Sequence, residues 1–527
     1  MSDSSIETKI SNLISWGESH GCQIDPRIKF VYNNDGSGVS AILNLPEGGR
    51  KDDQDDQDIV IDISNDVILT PEVAHESLKE VIPPTALESL DGFQVLQVYL
   101  TFLRHGENYV NSNWLHYINL LPLEISSPLA WSSNDLNLYL SNTNLINGCH
   151  LKLREIYKKF LNFRKLLVNS VVDDQQDENQ EHDIEYIQSL YHSYCDDDNN
   201  MHHWFNFKSY LWSYLIITSR SFPYKLIHDS DELFDSKFNK LNSVILLPII
   251  DLLNHKPKSK IYWNGNIANK QNFKITKLIK DYQNEVCETS GDGNTDLQIY
   301  NNYGPKGNEE LLMGYGFTIR GNEFDTLLLS LNISKLLSDL QNDDSGKLIE
   351  NFNLFLPTLE SYTNSIVDRQ PGNNDGNAAK SELIANPIYI SNINHIIPKG
   401  LLELYCFINR KDKEEHISLN SLLNSINDLR KSLNMKYKNK FSVTNNNDTD
   451  NSINYNEINS NNYKIGQLNL YNLFIKNLKN LEKKLLKIYR KNLIIKKDLV
   501  KKSIEFNEFL NDLEIHDFIS NELIYEN

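Results

Sequence analysis

Cysteine is scarce in this chain, with five residues in 527, and no two of them form a CxxC pair. Structural zinc sites usually need such closely spaced cysteines, so the sequence argues against a metal centre. The odd number and wide spacing also fit a reducing compartment better than a disulfide framework. We therefore expect a cytoplasmic protein without a metal, with the nucleus as a second compartment. The five residues are Cys22, Cys149, Cys195, Cys287 and Cys406.

Long apolar runs and a targeting signal are lacking as well. The apolar stretch Val244–Leu253 is shorter than the ~20 residues that a membrane helix needs, and it contains Asp251. The first residues include no basic segment followed by an apolar core, so we expect no secretory signal. The sequence therefore predicts no membrane partner.

Positive charge is in deficit, because 52 Lys and Arg stand against 71 Asp and Glu and give a formal net charge of -19. Such a surface repels nucleic-acid phosphates, so we expect no DNA partner. It attracts basic proteins such as ribosomal proteins or histones, although the same charge can serve solubility alone. The hydrophobic content of 40% supports a globular core. The length indicates about two to four domains.

Hydrophobic periodicity predicts a chain of mixed helices and strands in its first part. A helix is expected around Ile10–Trp16, a strand at Ile59–Ile63, and a helix start at Thr70-Pro71. The pattern from about 75 to 215 is mainly helical. Val244–Leu253 has the composition of a buried strand. Glu309–Tyr315, which follows the Gly304-Pro305 break, is expected to form a short helix or a turn.

The chain beyond 320 changes to a pattern of plain helices. The Asn-rich tract 444–462 is low in apolar residues and is predicted to be a disordered insertion. The predicted helices are Leu327–Leu340, Leu348–Leu359, Leu401–Phe407, Leu419–Leu433 and a last one over roughly 466–515.

Two tracts carry residues suited to chemistry. The first reads Leu246-Leu-Pro-Ile-Ile-Asp-Leu-Leu-Asn-His255, and the second Tyr300-Asn-Asn-Tyr-Gly-Pro-Lys-Gly-Asn-Glu-Glu-Leu-Leu-Met-Gly-Tyr-Gly-Phe317. In this order they resemble the two halves of the active site of SET-domain lysine methyltransferases, in the branch that includes the Rubisco and ribosomal-protein enzymes. Lysine methylation needs a neutral amine in a desolvated aromatic channel, and the tyrosines of the second tract fit that need.

The resemblance implies an α+β fold, in which a β-rich SET domain is split by a helical insertion and followed by an all-α C-terminal substrate-binding lobe. Residues 1–75 would form the N-terminal part of the SET domain, 76–210 the insertion and 211–320 the part with the active site. Residues 321–527 would form the lobe. The resemblance also implies S-adenosyl-L-methionine as methyl donor and a basic protein of the large ribosomal subunit as substrate. We expect a monomer.

Tyr303 is predicted to be the catalytic hydroxyl, which orients the amine and the methyl group and also contacts the donor. A core tyrosine with a satisfied hydroxyl is the alternative. Asn254 and His255 resemble the pair that binds S-adenosylmethionine in the family, although Asn-His after a strand is also a common turn. Arg220, in the run Ser219-Arg-Ser-Phe222, can hold the donor's carboxylate or pair with an acidic neighbour.

The segment Asp35-Gly-Ser-Gly-Val39 resembles the first cofactor loop of the family, which makes Asp35, Gly36 and Ser37 candidate cofactor-binding residues. A hairpin turn explains the same segment equally well. The following Glu47-Gly48-Gly49 reverses the family's usual Gly-Glu order, which leaves the contacts of this loop open.

Three residues are predicted to bind the substrate. Tyr315 and Phe317 would wall the lysine channel or the adenine pocket. Asp251 would face the substrate lysine, or it would cap the turn that follows it.

Three functions follow from these residues. The first is a ribosomal-protein lysine methyltransferase. The second is a SET enzyme for another protein, such as a histone or an elongation factor. The third is a catalytically inactive, SET-derived binding scaffold. The presence of Asp251, Asn254, His255 and Tyr303 together favours an enzyme, since a scaffold needs no such constellation.

Overall fold

The structure of the chain is a computed structural model that divides into two units. The first contains Met1–Ser133, Leu153–Lys306 and Met313–Gly316, and the second Asn134–Lys152, Gly307–Leu312 and Phe317–Asn527. The residues that the structure describes are 5–33, 36–44, 57–105, 108, 110, 112–168, 183–192, 204–227, 243–266, 271–289, 297–330, 388–398, 400–409, 419–438, 441 and 454–488.

The described residues form both helices and strands, with a run of consecutive helices from Pro71 to Arg220. The helices are α1 (Ile6–Ser19), α2 (Pro71–Leu78), α3 (Pro84–Glu88), α4 (Gly92–Arg104), α5 (Leu115–Leu120), α6 (Ser133–Leu140), α7 (Asn144–Val168), α8 (Ile184–His192), α9 (Phe207–Arg220), α10 (Ile279–Thr289), α11 (Asn308–Tyr315), α12 (Leu401–Asn409), α13 (Leu419–Tyr437) and α14 (Tyr455–Ile488). The strands are β1 (Gln23–Ile24), β2 (Ile28–Asn33), β3 (Gly38–Leu43), β4 (Ile59–Ile63), β5 (Ser221–Pro223), β6 (Val244–Leu246), β7 (Tyr262–Asn266), β8 (Gln271–Lys277), β9 (Thr326–Ser330) and β10 (Ile388–Asn392).

Small antiparallel sheets form the centre of the first unit. One has four strands in the order β1-β4-β8-β7, and β2 pairs with β3 and β5 with β6 in two-stranded sheets. In the four-stranded sheet Ile61 lies opposite Ile275, and both are buried. The strand predicted at Ile59–Ile63 is confirmed, and its alternating isoleucines place one face of β4 in the core. The mixed α+β fold class is confirmed.

Local signals correctly predicted several helices. Helix α1 covers the predicted Ile10–Trp16 region, and α2 begins at Pro71, where the Thr70 hydroxyl accepts a hydrogen bond from the Val73 backbone N–H. Helices α12 and α13 also form where periodicity placed them, and the segment Glu309–Tyr315 takes the helical one of its two expected forms, as part of α11.

The prediction of one buried strand over Val244–Leu253 is wrong after its first three residues. Strand β6 ends at Leu246, and a 3-10 helix occupies Ile250–Leu252. Pro248 lies between them and has no backbone N–H for a sheet, so it ends the strand there. Ile249 takes a φ of 75°, which turns the chain out of the strand direction.

The second unit has a helical core with one added sheet. Leucines and aromatic residues of α12, α13 and α14 form its apolar cluster, which includes Leu422, Leu429, Phe474 and Leu478. The lobe was predicted to be all-α, but β9 and β10 pair antiparallel within it. The helix predicted from Leu327 is therefore wrong over 327–330, because the run of leucines pairs with a strand 60 or so residues later, which local periodicity does not reveal. Residues 348–359 lie outside the described residues.

The predicted disordered insertion at 444–462 is wrong in its second half, because α14 begins at Tyr455. Residues 444–453 lie outside the described residues. The asparagines that suggested disorder make tertiary hydrogen bonds instead. The Asn459 Oδ1 atom accepts from the Thr318 backbone N–H at 3.0 Å, and Asn454 Nδ2 donates to the Tyr139 hydroxyl at 2.9 Å.

No helix among the described residues combines the length and the apolar character needed to cross a membrane. Within the same residues, no group of three or more His, Cys, Asp and Glu side chains is arranged to hold a metal ion.

A buried ion pair fastens β8 to α10. Lys277 is 1% exposed, and its Nζ donates to Glu285 Oε1 at 2.5 Å and to Ser259 Oγ at 3.0 Å. Burial lowers the pKa of Lys277, while Glu285 acts in the opposite direction. The Ser259 carbonyl oxygen in turn accepts from Asn302 Nδ2, so the pair is linked to the second of the two sequence tracts, Tyr300–Phe317.

We expect Glu285→Gln to destabilise the protein by about 3–5 kcal/mol, because it leaves a buried ammonium without its counter-charge. Lys277→Met should cost less, since Glu285 keeps partial contact with water at a side-chain exposure of 19%. The double variant should recover stability relative to Glu285→Gln. Urea unfolding of the wild type, the two single variants and the double variant measures these free energies of unfolding. The expectation is contradicted if both single variants lose the same free energy and the double variant loses the sum of the two.

Candidate active site

A cavity of about 750 Å³ lies in the first unit, and residues of both predicted tracts line it. Asp251 comes from the first tract and Tyr303 and Tyr315 from the second, while Arg220 comes from the end of α9. The cavity also has aromatic walls from Phe222, Tyr262 and Trp263. The structure thus brings together four of the residues predicted from sequence.

The two tracts meet through backbone pairing. His255 and Asn301 form an isolated parallel bridge, in which the Asn301 N–H donates to the Asn254 carbonyl at 2.8 Å and the Lys256 N–H to the Asn301 carbonyl at 3.0 Å. The turn before this bridge depends on Ile249 and its positive φ. A side chain at Gly17 of α1 would come within 2.5 Å of the Ile249 Cδ1 atom, so the glycine leaves the room that this turn requires.

Tyr303 is held from three sides. Its backbone N–H donates to His255 Nδ1 at 3.0 Å, and its hydroxyl donates to the Leu253 carbonyl at 2.7 Å. Its ring stacks between the rings of His255 and Tyr315, at centroid distances of 4.8 and 5.2 Å. Burial raises the pKa of the Tyr303 phenol far above its usual value, so the group stays protonated. The result is a fixed neutral hydroxyl whose oxygen retains acceptor capacity.

Arg220 and Asp251 form the charged part of the cavity wall. Arg220 Nη1 donates to the Asp251 backbone carbonyl at 3.1 Å and to its Oδ2 atom at 3.3 Å. The Asp251 side chain is 0% exposed, although the whole residue is 8% exposed. The part of Asp251 that reaches the cavity is therefore its backbone. Arg220 does pair with an acidic neighbour, and its side chain remains 23% exposed.

Asn254 and His255 are not among the residues that line the cavity, and they lie between β3 and the second tract. The Asn254 Nδ2 atom donates to the Val39 carbonyl at 3.2 Å and to the Ser40 hydroxyl at 3.1 Å. These bonds orient the side-chain amide and leave Oδ1 without a hydrogen bond to any residue that the structure describes. The pair is therefore more than a solvent-exposed turn, because it joins the N-terminal hairpin to the site.

Gly36 and Ser37 are not among the residues that line the cavity. Gly36 and Ser37 form the exposed turn between β2 and β3, where Gly36 has a φ of 84° and Ser37 Oγ accepts from Asn33. Asp35 lies outside the described residues. Phe317 belongs to the second unit, so its place on a channel wall stays a prediction.

Several residues at or near the cavity escaped sequence reasoning. Tyr117 of α5 donates its hydroxyl to Asp251 Oδ2 at 2.8 Å. Trp263 Nε1 donates to the Asn301 side chain at 3.2 Å, and its ring meets Phe222 edge-on. Tyr117 lies in the region from about 75 to 215, for which the sequence predicted only a mainly helical pattern. Trp263 had no local signal, because its neighbours Phe222 and Asn301 are distant from it in sequence.

Comparison with known sequences gives the following similarities. Ribosomal lysine N-methyltransferase 1 of Saccharomyces cerevisiae is 28% identical over 466 residues, which cover 84% of this chain and 70% of that protein. Ribosomal lysine N-methyltransferase set10 of Schizosaccharomyces pombe is 31% identical over 333 residues, which cover 63% of this chain and 49% of that protein. Protein-lysine N-methyltransferase EFM1 of Saccharomyces cerevisiae is 26% identical over 438 residues, which cover 80% of this chain and 64% of that protein. Residues 373–489 match the EFM1 middle domain family.

Comparison with solved structures concerns the fold. The structure of Rubisco LSMT bound to AdoMet aligns with a TM-score of 0.56 at 14% identity, covering 90% of this chain and 93% of that one. The crystal structure of the SET domain of LSMT bound to lysine and AdoHcy aligns with a TM-score of 0.57 at 13% identity, covering 98% and 99%.

The fold is therefore that of the SET-domain methyltransferases, as the two tracts predicted. The sequence relatives narrow the class further, since all three are named as lysine N-methyltransferases. The chain is a SET-domain protein-lysine N-methyltransferase.

Burial of His255 has a consequence for stability. Desolvation lowers the pKa of His255 from 6.5 to about 4, and the charge of Lys306 acts in the same direction. The Tyr303 N–H also needs an unprotonated Nδ1 atom as its acceptor. The unfolded chain therefore binds a proton that the folded chain rejects as the pH falls below about 6.5, and this lowers the stability of the fold.

We expect this histidine to contribute a loss of at most about 3 kcal/mol between pH 7 and pH 4. The variant His255→Gln should show a shallower decline of unfolding free energy over that range, whatever its stability at pH 7. Replacing His20, which lies on the surface after α1, by glutamine serves as the control. An unchanged slope in His255→Gln would contradict the assignment.

Proposed function

We propose that this enzyme methylates a lysine of a basic protein of the large ribosomal subunit. The observation that carries the proposal is the similarity to two relatives named ribosomal lysine N-methyltransferases, one of which aligns with 84% of the chain. The net charge of -19 supports a basic substrate, because it accelerates encounter with a positively charged protein. We further propose that the enzyme acts as a monomer in the cytoplasm and does not bind DNA.

S-adenosylmethionine is the methyl donor in this proposal, and the structural neighbours bound to AdoMet and AdoHcy support it. When bound, it supplies an electrophilic methyl group on a sulfonium sulfur. Its amino acid part carries a carboxylate and an ammonium group, and the site offers a complement to each. The exposed side of the Arg220 guanidinium suits the carboxylate, and the Asn254 Oδ1 atom suits the ammonium.

The substrate lysine must lose its proton before it attacks. With a usual pKa near 10.4, a lysine amine is deprotonated at neutral pH only at a cost of about 4–5 kcal/mol. The cavity wall disfavours the charged form, because it presents no carboxylate to the amine and includes the positively charged Lys306. The Asp251 carboxylate does not oppose this, since its side chain is buried away from the cavity and paired with Arg220.

Tyr303 would orient the neutral amine. Its hydroxyl proton is engaged by the Leu253 carbonyl, so its oxygen can accept a hydrogen bond from the amine N–H. That bond would direct the nitrogen lone pair toward the methyl group. Stacking between His255 and Tyr315 keeps the phenol in place, which serves catalysis because small displacements of a positioning group cost rate.

A second candidate function is methylation of a protein outside the ribosome. The match of residues 373–489 to the EFM1 middle domain family favours it, as does the similarity to Protein-lysine N-methyltransferase EFM1. The catalytic geometry is the same for both candidates. The choice of substrate must therefore depend on surfaces other than the cavity.

A transfer assay with methyl-labelled S-adenosylmethionine tests the proposal. We expect the full chain to label one or a few proteins of a purified large ribosomal subunit, and labelling should weaken with added salt because it depends on charge. Purified small subunits, histones and elongation factors serve as competing acceptors. Preferential labelling of an elongation factor or histone would support the second candidate, and an absence of any lysine methylation would overturn both.

We expect Tyr303→Phe to lower kcat by ~10²–10⁴-fold, because it removes one positioned catalytic group and keeps the stacked ring. Affinity for S-adenosylmethionine, measured by calorimetry, should stay close to that of the wild type. Tyr262→Phe is the matched control, since Tyr262 lines the same cavity but is 52% exposed. Equal turnover in Tyr303→Phe and Tyr262→Phe would exclude the proposed role.

A further inference from the structure

The Asp251 carboxylate lies between hydrogen-bond donors from two helices. Tyr117 of α5 is 1% exposed, and its hydroxyl donates to Asp251 Oδ2 at 2.8 Å. Arg220 of α9 reaches the same oxygen through Nη1 at the longer distance of 3.3 Å. The other oxygen, Oδ1, is buried and has no hydrogen-bond partner among the described residues. The carboxylate therefore depends on two donors that share one atom.

This arrangement determines how the Arg220 guanidinium is oriented at the cavity wall. All hydrogen bonds of its guanidinium to described residues pass through Nη1, which contacts both Oδ2 and the backbone carbonyl of Asp251. The side chain lines the cavity and retains part of its exposure. A single-nitrogen hold of this kind anchors the guanidinium at one corner, so the other nitrogens stay available to a ligand.

The charge of Asp251 is needed for that hold. Burial raises the pKa of Asp251, whereas the charge of Arg220 and the hydroxyl of Tyr117 act in the opposite direction. Tyr117 itself stays a donor, because burial raises the pKa of its phenol well above the usual value. Of the described residues, the titratable groups around Asp251 are Tyr117, Arg220 and Tyr303.

We propose that Tyr117 is a positioning residue for the methyl donor. Its hydroxyl stabilises the ionised form of Asp251, and the ionised carboxylate holds Arg220 with its remaining nitrogens toward the carboxylate of S-adenosylmethionine. Tyr117 supplies this stabilisation as a neutral group, so it adds no second positive charge near the donor's sulfonium. The inference rests on the proposed function in one respect, namely that the cavity binds S-adenosylmethionine.

The test is the pH dependence of S-adenosylmethionine binding to the full chain, measured by calorimetry between pH 5.5 and 8.5. A hydroxyl that donates to a carboxylate lowers its pKa, so Tyr117→Phe should move the acid-side loss of affinity upward by about one pH unit. Binding at pH 8.5 should be close to that of the wild type, and binding on the acid side should be roughly 10-fold weaker. A purely structural role would weaken binding equally at all these pH values.

Two further variants make the result specific. Tyr282→Phe is the matched control, because Tyr282 is also a buried tyrosine of the first unit and donates its hydroxyl to the Leu297 carbonyl at 3.0 Å. Its pH profile should coincide with that of the wild type. Asp251→Asn should show no acid-side loss, which distinguishes Asp251 from His255 as the titrating group and remains informative if Tyr117→Phe does not fold.

The inference is overturned if the profiles of Tyr117→Phe and Tyr282→Phe coincide, or if the acid-side loss persists in Asp251→Asn. Wild-type protein that fails to bind S-adenosylmethionine at any pH would instead refute the proposed donor. A wild type that binds, together with a Tyr117→Phe profile that is unshifted, would refute the role of Tyr117 alone.

Discussion

The backbone pairing at Asn301 is the interaction on which the rest of the site depends. Asn301 is completely buried, its N–H and carbonyl bind the backbone on either side of His255, and its side-chain oxygen accepts from Trp263. This bridge helps to bring Tyr303 to His255, from which it is separated by 48 residues. Two short segments without regular structure of their own thereby acquire a fixed geometry, as a catalytic hydroxyl requires.

The charged groups of the cavity have to satisfy two opposed demands. A neutral lysine amine needs a dry aromatic surrounding, whereas a donor with a carboxylate and an ammonium group needs polar partners. The structure separates the acidic group from the aromatic walls, because the acidic group lies deeper in the protein than the cavity surface. The Asp251 side chain is withdrawn into the core beside Tyr117, and Arg220 reaches from that core to the cavity. An acidic group can therefore anchor the site without stabilising the protonated form of the substrate.

Local sequence signals correctly predicted elements whose stability comes from within the element. The Thr70-Pro71 cap, the alternating isoleucines of β4 and the helices α12 and α13 each follow from neighbours a few residues away. Local signals gave wrong predictions where residues distant in sequence determine the secondary structure. Thr326–Ser330 is a strand because β10 pairs with it, and residues from Tyr455 onward are helical although their asparagines suggested disorder. Amide side chains that find tertiary partners stabilise a segment that composition alone marks as polar.

The sequence by itself determined the chemistry available to this protein: the order of its tracts, the aromatic residues, the Asn-His pair and the balance toward acidic charge. Motifs sufficed for this because the reaction requires particular side chains, and residue types can be read directly from the sequence. Only the tertiary structure decided how the groups are used. The contact between Tyr117 and Asp251 joins residues 134 positions apart, and the withdrawal of the Asp251 carboxylate from the cavity results from packing around it. Burial and long-range pairing belong to the whole fold, and no local pattern encodes whether a carboxylate will face a cavity or the core.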